Sequence, residues 1–594
     1  MLGFVHKGTF YGPNPYSREP VVIVDLAVPE TLASRGEAIE SRITALHGWT
    51  RTEPLPDVAV DEAERIARLV VHWAFAALNH TRGYLHAFGW HKLDERTVRL
   101  WLGFHQPGMS LTALKYAVDL VTEVAEDRVD PAAWEQQLEK FGEACRYWHP
   151  DYQTRMLMEI ARAVGIPCMP AWGKRTHWQF GWGARSRVMR ESASDEEGHL
   201  GAQVINAKDQ SKEFLVSLGL PTPDYALIRE EADIARAVEK IGFPCVTKPL
   251  RLGGGRGITT GLSDIEEVRA GFAYARAFSP GPVMLEGFAQ GEDTRIMVID
   301  GCFTGAFRRH PPAVTGDGES TIRQLIERAN AQRSKLRICD DGYLDPIRFD
   351  NAAEQFLAGK GMSAETVLPA GESAIVRGNS NLSTGGHATD VTGELHPDIA
   401  RASEAAARTL KVRVVGFDYM SSDIGRNWED GDGAFIEMNL TPGIDIMTVA
   451  GRPKLETVMS ILGSEPGRIP LDVIVIDDGQ MGEAQALVSR LTEGPACGWA
   501  SHDEARLGGM PLRVAMRHPW AGVMTLLGHR VLESAWLVVT SSELRRLGFP
   551  VDRADRIHLC ANDLPEPWLD VFREASANPL WQGQLRELPR FLGE

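Results

Sequence analysis

The chain has 594 residues, 43% hydrophobic and 24% charged, a globular balance that excludes wholesale disorder and requires more than one core. Its formal charge of −17 argues against nucleic acid or an anionic membrane surface as the main partner. Seven cysteines without C-x-x-C spacing indicate neither a disulfide framework nor a zinc site, and read as small apolar residues in a reducing cytoplasm.

The opening Met1-Leu2-Gly3-Phe4-Val5-His6-Lys7 lacks a basic flank followed by a long apolar stretch, so no secretory signal is expected there. A strand is predicted over 21–26 and helices around 60–80, 110–126 and 132–147. The most apolar helical stretch, 67–78, is interrupted by His72 and too short to span a bilayer. Trp49, Trp73, Trp90, Trp101, Trp134 and Trp148 crowd this region and read as core or interface. Residues 165–200 turn polar and Gly-rich, and from 206 onward the texture is α/β.

A helix over 208–218 ends at Gly219 with Pro221 beyond, a second covers 232–241, and a strand over 245–248 stops at Pro249. Lys248 ends that strand, and Gly253-Gly254-Gly255-Arg256-Gly257 follows. Backbone N–H groups in such a loop can approach phosphate oxygens, and a plain turn reads equally well. Neither a Walker loop nor Gly-x-Gly-x-x-Gly is met. The next strand, 283–288, carries Glu286, which suits a ligand hydroxyl or amine, or a surface strand end. Residues 291–301 alternate and close at an Asp300-Gly301 hairpin, with Arg308 and Arg309 on the return. The segment Arg377-Gly378-Asn379-Ser380-Asn381-Leu382-Ser383-Thr384-Gly385-Gly386 is dense in donors, suited to phosphate contacts or to a structural loop.

Two apolar runs end in carboxylates: Val414-Val415-Gly416-Phe417-Asp418 and Ala434-Phe435-Ile436-Glu437-Met438-Asn439. A period of two puts Glu437 and Asn439 on one strand face. Two carboxylates and an amide oxygen suit Mg²⁺ beside nucleotide phosphates, against the plainer reading of a solvated strand end. Beyond 465, a strand over 471–476 opens a small α/β unit.

Together, and in this order, Lys208, Lys248-Pro249, the glycine flap, Glu286, Asp418 and Glu437-x-Asn439 resemble an ATP-grasp ligase. Within that superfamily the chain resembles the cyanophycin synthetases, through Thr315-Gly316-Asp317-Gly318-Glu319-Ser320-Thr321-Ile322, Asn381-Leu382-Ser383-Thr384-Gly385-Gly386, Glu394-Leu395-His396-Pro397 and Gly12-Pro13-Asn14-Pro15-Tyr16-Ser17. The resemblance implies an α/β (α+β) architecture: an α+β amino-terminal domain over 1–165, an ATP-grasp ligase domain over 166–460 and a small α/β remnant over 461–594. In that family a Mur-ligase-like domain with a P-loop follows the ligase domain. Here Gly467-Arg468-Ile469-Pro470 survives, but Ile476-Asp477-Asp478-Gly479-Gln480-Met481-Gly482-Glu483 has neither the lysine nor the Ser/Thr that a P-loop needs. The chain therefore looks like the truncated type, which joins β-aspartyl-arginine dipeptides. It departs from the family pattern at the flap's Arg251-Leu252-Gly253 and at Val391, where the family carries an arginine.

The resemblance implies an ATP-dependent carboxylate–amine ligase acting through an acyl-phosphate. Lys208, Lys248, Gly253, Gly254, Gly255, Gly257 and Glu286 would bind ATP; Asp418, Glu437 and Asn439 would hold Mg²⁺. Arg256, Arg309 and Arg377 would act on the transferred phosphoryl group and the intermediate, and Asn381, Ser383, Thr384 and Gly385 would bind substrate. His310 and His387 are general-base candidates in principle only. The expected partners are an amino acid or dipeptide, a peptide polymer, and further copies of the chain in a dimer or tetramer. A ligase making a small dipeptide or natural-product peptide, and a non-catalytic regulatory partner of a full-length synthetase, are the alternatives.

Overall fold

The computed structural model describes residues 2–46, 61–82, 84–333 and 342–592; Trp49 lies outside them. The chain divides into two compact units, Met1–Val188 with Glu465–Glu594, and Met189–Ser464. By contacts, then, the two chain ends share one unit, and residues 166–188 go with them.

The first unit holds two large sheets. In the amino-terminal one, the antiparallel order is Gly3–Phe10, Val21–Ala27, Thr97–Gly103, Phe88–Lys92. Val22, Val24 and Leu26 alternate onto the face shared with Val98, Leu100 and Leu102. The helices Glu62–Arg82, Pro107–Ala125 and Pro131–Trp148 cover that face. Pro131–Trp148 starts where it does because the Asp130 carboxylate accepts the free N–H groups of Ala132 and Ala133. Trp73 and Trp134 meet edge to face at 6.1 Å in this core.

The second sheet has seven strands, with Leu471–Ile476 in its interior and parallel to both neighbours, Ser534–Thr540 and Arg556–Leu559. All six residues of Leu471–Ile476 are buried, as a strand covered on both faces requires. It runs into Asp477, whose carboxylate accepts the N–H of Asn562 at 3.1 Å. The two sheets are joined by the 11–13 segment. Tyr11 N–H donates to Leu547 O (2.7 Å), and Phe549 N–H donates to Pro13 O (2.8 Å). A Cβ on Gly12 would stand 1.9 Å from Phe549 O, so only glycine fits there.

The second unit is built on two antiparallel sheets. The four-stranded one has the order Thr259–Leu262, Cys245–Pro249, Val283–Gly287, Tyr225–Ile228. The helices Ile234–Ile241 and Ile265–Phe278 pack on it. Pro249 is the last residue of its strand, in register with Val283. The five-stranded sheet has the order His387–Asp390, Cys302–His310, Glu292–Ile299, Val414–Ser421, Ala434–Asn439. Its hairpin turns at Asp300 and Gly301, with φ of 51° and 70°, the turn that Asp-Gly suits. Ile296, Val298, Ala306, Val415, Phe417 and Met438 form its apolar face against helix Pro397–Leu410. The opposite face carries Arg295, Asp418 and Glu437.

Candidate active site

Antiparallel register assembles that polar face. Arg295 lies opposite Asp418, Asp418 opposite Glu437, and Gly416 opposite Asn439. Arg295 Nε donates to Asp418 Oδ1 at 2.6 Å. Arg309, on the next strand, reaches Asp418 Oδ2 at 3.0 Å and Asp293 Oδ1 at 2.6 Å. Burial pushes the Asp418 carboxyl up, but the guanidinium groups of Arg295 and Arg309 reverse this and hold it below the usual range. Asp293 goes the other way, raised by burial and by the neighbouring Asp418 charge despite Arg309. Gly416 gives Arg295 its place: a Cβ there would lie 2.9 Å from Arg295 Cδ and 2.8 Å from Pro442 Cβ.

Glu437 reaches this face through a bulge. The register shifts so that Phe435 pairs with Tyr419 while Glu437 pairs with Asp418, leaving Ile436 as the extra residue. Phe435 therefore enters the core, 5.0 Å from the Tyr419 ring, although plain alternation would place it beside Glu437.

Lys208 opens the helix Lys208–Ser217 and connects two parts of the site. Its Nζ donates to Leu252 O at 2.7 Å and to Glu437 Oε1 at 2.9 Å. One turn on, Lys212 lies 2.5 Å from Glu286 Oε2, and Lys248 donates to Glu286 Oε1 at 2.8 Å. All three side chains are at least 96% buried. Burial lowers the Lys212 pKa to about 8 against the pull of Glu286. Burial raises Glu286, but Lys248 and Lys212 outweigh it and leave that carboxyl below its ordinary value. Glu286 thus has both oxygens on lysines.

The flap follows Lys248. Gly254, Gly255 and Gly257 have φ near 71°, and a Cβ on Gly257 would stand 2.9 Å from Pro249 Cγ. Among the described residues, no atom beyond the adjacent chain lies within 4 Å of where a Cβ would stand on Gly253 or Gly254. Asn381 Nδ2 donates to Gly254 O at 3.2 Å, tying the flap to the 379–386 loop. In that loop Thr384 turns inward and donates to Asn379 Oδ1 at 2.7 Å, Gly385 O accepts from Arg333 at 2.9 Å, and Ser383 is exposed.

The predicted residues therefore fall into groups. Lys208, Arg309, Asp418, Glu437 and Asn439 share one face; Lys248 and Glu286 form the buried cluster beside it; the flap meets Asn381. Arg377 stands apart from these, donating to Asp350 at 2.6 Å, and Arg256 is exposed, with its Nε 3.4 Å from Gly253 O. His310 and His387 stack at 4.6 Å, and burial lowers the pKa of each. Arg295, Asp293 and Lys212 are the additions. Lys212 follows Lys208 at i+4, a spacing that already places both on one helix face. Arg295 depends on pairing with a strand more than a hundred residues away, which no local pattern reveals.

Each cation on the face is balanced by a carboxylate, so an incoming polyphosphate would exchange partners with Glu437, Asp418 and Asp293 and need not create a charged pocket anew. The donor set of Asp418, Glu437 and the Asn439 amide oxygen fits a hard divalent cation. Among the described residues, no group of three or more His, Cys, Asp or Glu side chains is placed to hold a metal ion, so the amide oxygen is part of any such set.

Comparison with known proteins adds four matches. An ATP-grasp domain matches residues 213–337, covering Lys248, the flap, Glu286, Arg295 and Arg309. Cyanophycin synthetase from Trichormus variabilis is 30% identical over 65% of this chain and 43% of its own length. A glutathione biosynthesis bifunctional protein from Desulfotalea psychrophila is 28% identical over 44% of this chain and 34% of its own. The crystal structure of a bifunctional glutathione synthetase from Pasteurella multocida aligns with 75% of this chain and 82% of its own at 14% identity and a TM-score of 0.39. The chain spans less than half the length of the cyanophycin synthetase it matches.

Proposed function

We propose, from the premise that this chain carries an ATP-grasp domain and is similar to the cyanophycin synthetases, that it is an ATP-dependent ligase joining a carboxylate to an amine. The observation that carries this reading is Lys208, held between the flap carbonyl of Leu252 and Glu437. In this reading Lys208 is a phosphate-binding cation that stands beside the acidic strand end.

In this mechanism the substrate carboxylate attacks the γ-phosphorus of ATP, ADP leaves, and the amine then displaces phosphate from the acyl-phosphate. Lys208 moves from Glu437 to the phosphates. The flap N–H groups, with Arg256, close over the transferred group. Lys248 is held oriented by Glu286 until a phosphate competes for it. Arg309 and Arg295, fixed by Asp293 and Asp418, offer donors where negative charge develops. Arg377 and the loop of Asn381, Ser383, Thr384 and Gly385 border the acceptor side. Asp418, Glu437 and Asn439 would hold Mg²⁺, which when bound offsets phosphate charge.

The substrates we assign are β-aspartyl-arginine dipeptides or a related peptide, added to a growing chain. Incubation with ATP, Mg²⁺ and a panel of amino acids and dipeptides, read by mass spectrometry, should give a ladder of products. A single product would instead indicate a small-peptide ligase. Glu437→Ala should abolish ADP formation while leaving the thermal transition in place. Full turnover in that variant would remove the metal assignment, and ATP binding without ADP release on any substrate would favour a regulatory role.

A further inference from the structure

Two lysines share the Glu286 carboxylate, and their surroundings are unequal. Glu286 lies opposite Val246, so Lys248, two residues further along that strand, shares its face and meets it diagonally. Lys212 reaches the same carboxylate from the helix Lys208–Ser217, 2.5 Å from Oε2. Its ammonium also donates to Thr222 Oγ1 at 2.9 Å and to Pro223 O at 3.1 Å. Lys212 is therefore tied at three points, as many as an ammonium has N–H groups. Among the described residues Lys248 Nζ hydrogen-bonds to Glu286 Oε1 alone, at 2.8 Å, which leaves it two N–H groups for a ligand.

Two ammonium groups and one carboxylate leave a single positive charge in excess, on side chains that are all buried. Lys212, with its pKa lowered to about 8, still carries its charge at neutral pH. In the ligase reading Lys248 leaves Glu286 for the ATP phosphates. Were Lys248 the sole partner, its departure would strand a buried carboxylate, which is strongly unfavourable. With Lys212 fixed in place a neutral buried pair remains instead, and Lys248 takes the excess charge to the phosphates.

We propose that Lys212 is a positioning residue for ATP: it stays on Glu286 as the counter-ion and thereby frees Lys248 for the phosphates. The proposal rests on the ligase reading and adds to it a residue that acts through Glu286 and Lys248.

Calorimetric titration of the full chain with ATP and Mg²⁺ tests it on four proteins: the parent, Lys212→Met, Glu286→Gln and the double variant. Lys212→Met is expected to weaken ATP about tenfold or more, within the range of couplings inside one charge network. In the Glu286→Gln background the same substitution should change affinity by less than about twofold, since no carboxylate charge is left to balance. Equal losses in the two backgrounds, the outcome of a merely structural role, would overturn the proposal. Undiminished affinity in folded Lys212→Met would do the same. Lys212→Gln, which keeps N–H donors for Thr222 and Pro223, takes the place of Lys212→Met if that variant does not fold. Failure of both to fold would show that the fold itself requires Lys212, and the positioning role would fall. ATP binding by the parent with any of these outcomes leaves the ligase reading standing. Absence of saturable ATP binding by the parent would remove that reading and this proposal together.

Discussion

Asp445 shows how one residue can stand against the stability of the unit that contains it. It opens the short helix Asp445–Val449, and burial, then the like charge of Asp345, raises its carboxyl to about 6, with Arg295 pulling the other way. The ordinary value is 3.8, so between those two pH values the folded chain binds the proton more tightly than the unfolded one. Stability from this group is therefore fully present below pH 3.8 and is lost as pH rises through 6. Asp445→Asn should raise stability at pH 7 by up to about 3 kcal/mol, from roughly 1.4 kcal/mol per unit, and the gain should vanish near pH 4. Urea unfolding of the two proteins at both pH values measures it; an equal gain at both would refute the burial account. At this scale the sequence was only partly legible. Lys208 and Lys212 share a helix face by spacing alone, whereas the cost at Asp445 arises from tertiary burial and, after that, from Asp345, a hundred residues away in a loop.

Among the elements, the strand Ala434–Asn439 is the most instructive. Alternation correctly puts Glu437 and Asn439 on one face, and applied further it would put Phe435 there too. The bulge at Ile436 intervenes, sending Phe435 to the core and Glu437 to the polar face. Sequence inspection missed it because a bulge is defined by the partner strand, and the partner register is set by the whole sheet. Deletion of Ile436 should therefore be tolerated: Glu437 would still oppose Asp418 and Phe435 would still oppose Tyr419. The expected result is a folded protein with its thermal midpoint within a few degrees of the parent, as for removal of one unpaired residue. Loss of the cooperative transition would show that the extra residue is required for the sheet itself. By contrast, the hairpin at Asp300-Gly301 could be read directly, since its turn chemistry is local.

On the scale of the molecule, the first unit is made from both chain ends, which no reading of a linear domain order conveys. Phe10 and Tyr11 pack on the carboxy-terminal core, with the Phe10 and Trp568 rings at 6.3 Å. Ending the chain after Ser464 should leave the amino-terminal sheet folded but weaker by about 3 kcal/mol, the order expected when two aromatic side chains lose their cover. Denaturant unfolding followed by proteolysis within residues 1–188 reads this; unchanged resistance would mean that the contacts are dispensable. The close approach of Gly181 to Gly467, with Trp182 N–H donating to Gly467 O at 2.7 Å, has a further consequence. The chain leaves the first unit and returns to it at neighbouring points, so residues 189–464 have the topology of an inserted cassette. Such a module can gain, lose or exchange catalytic chemistry over evolution while the host scaffold, closed on itself at Gly12 and Phe549, keeps its continuity.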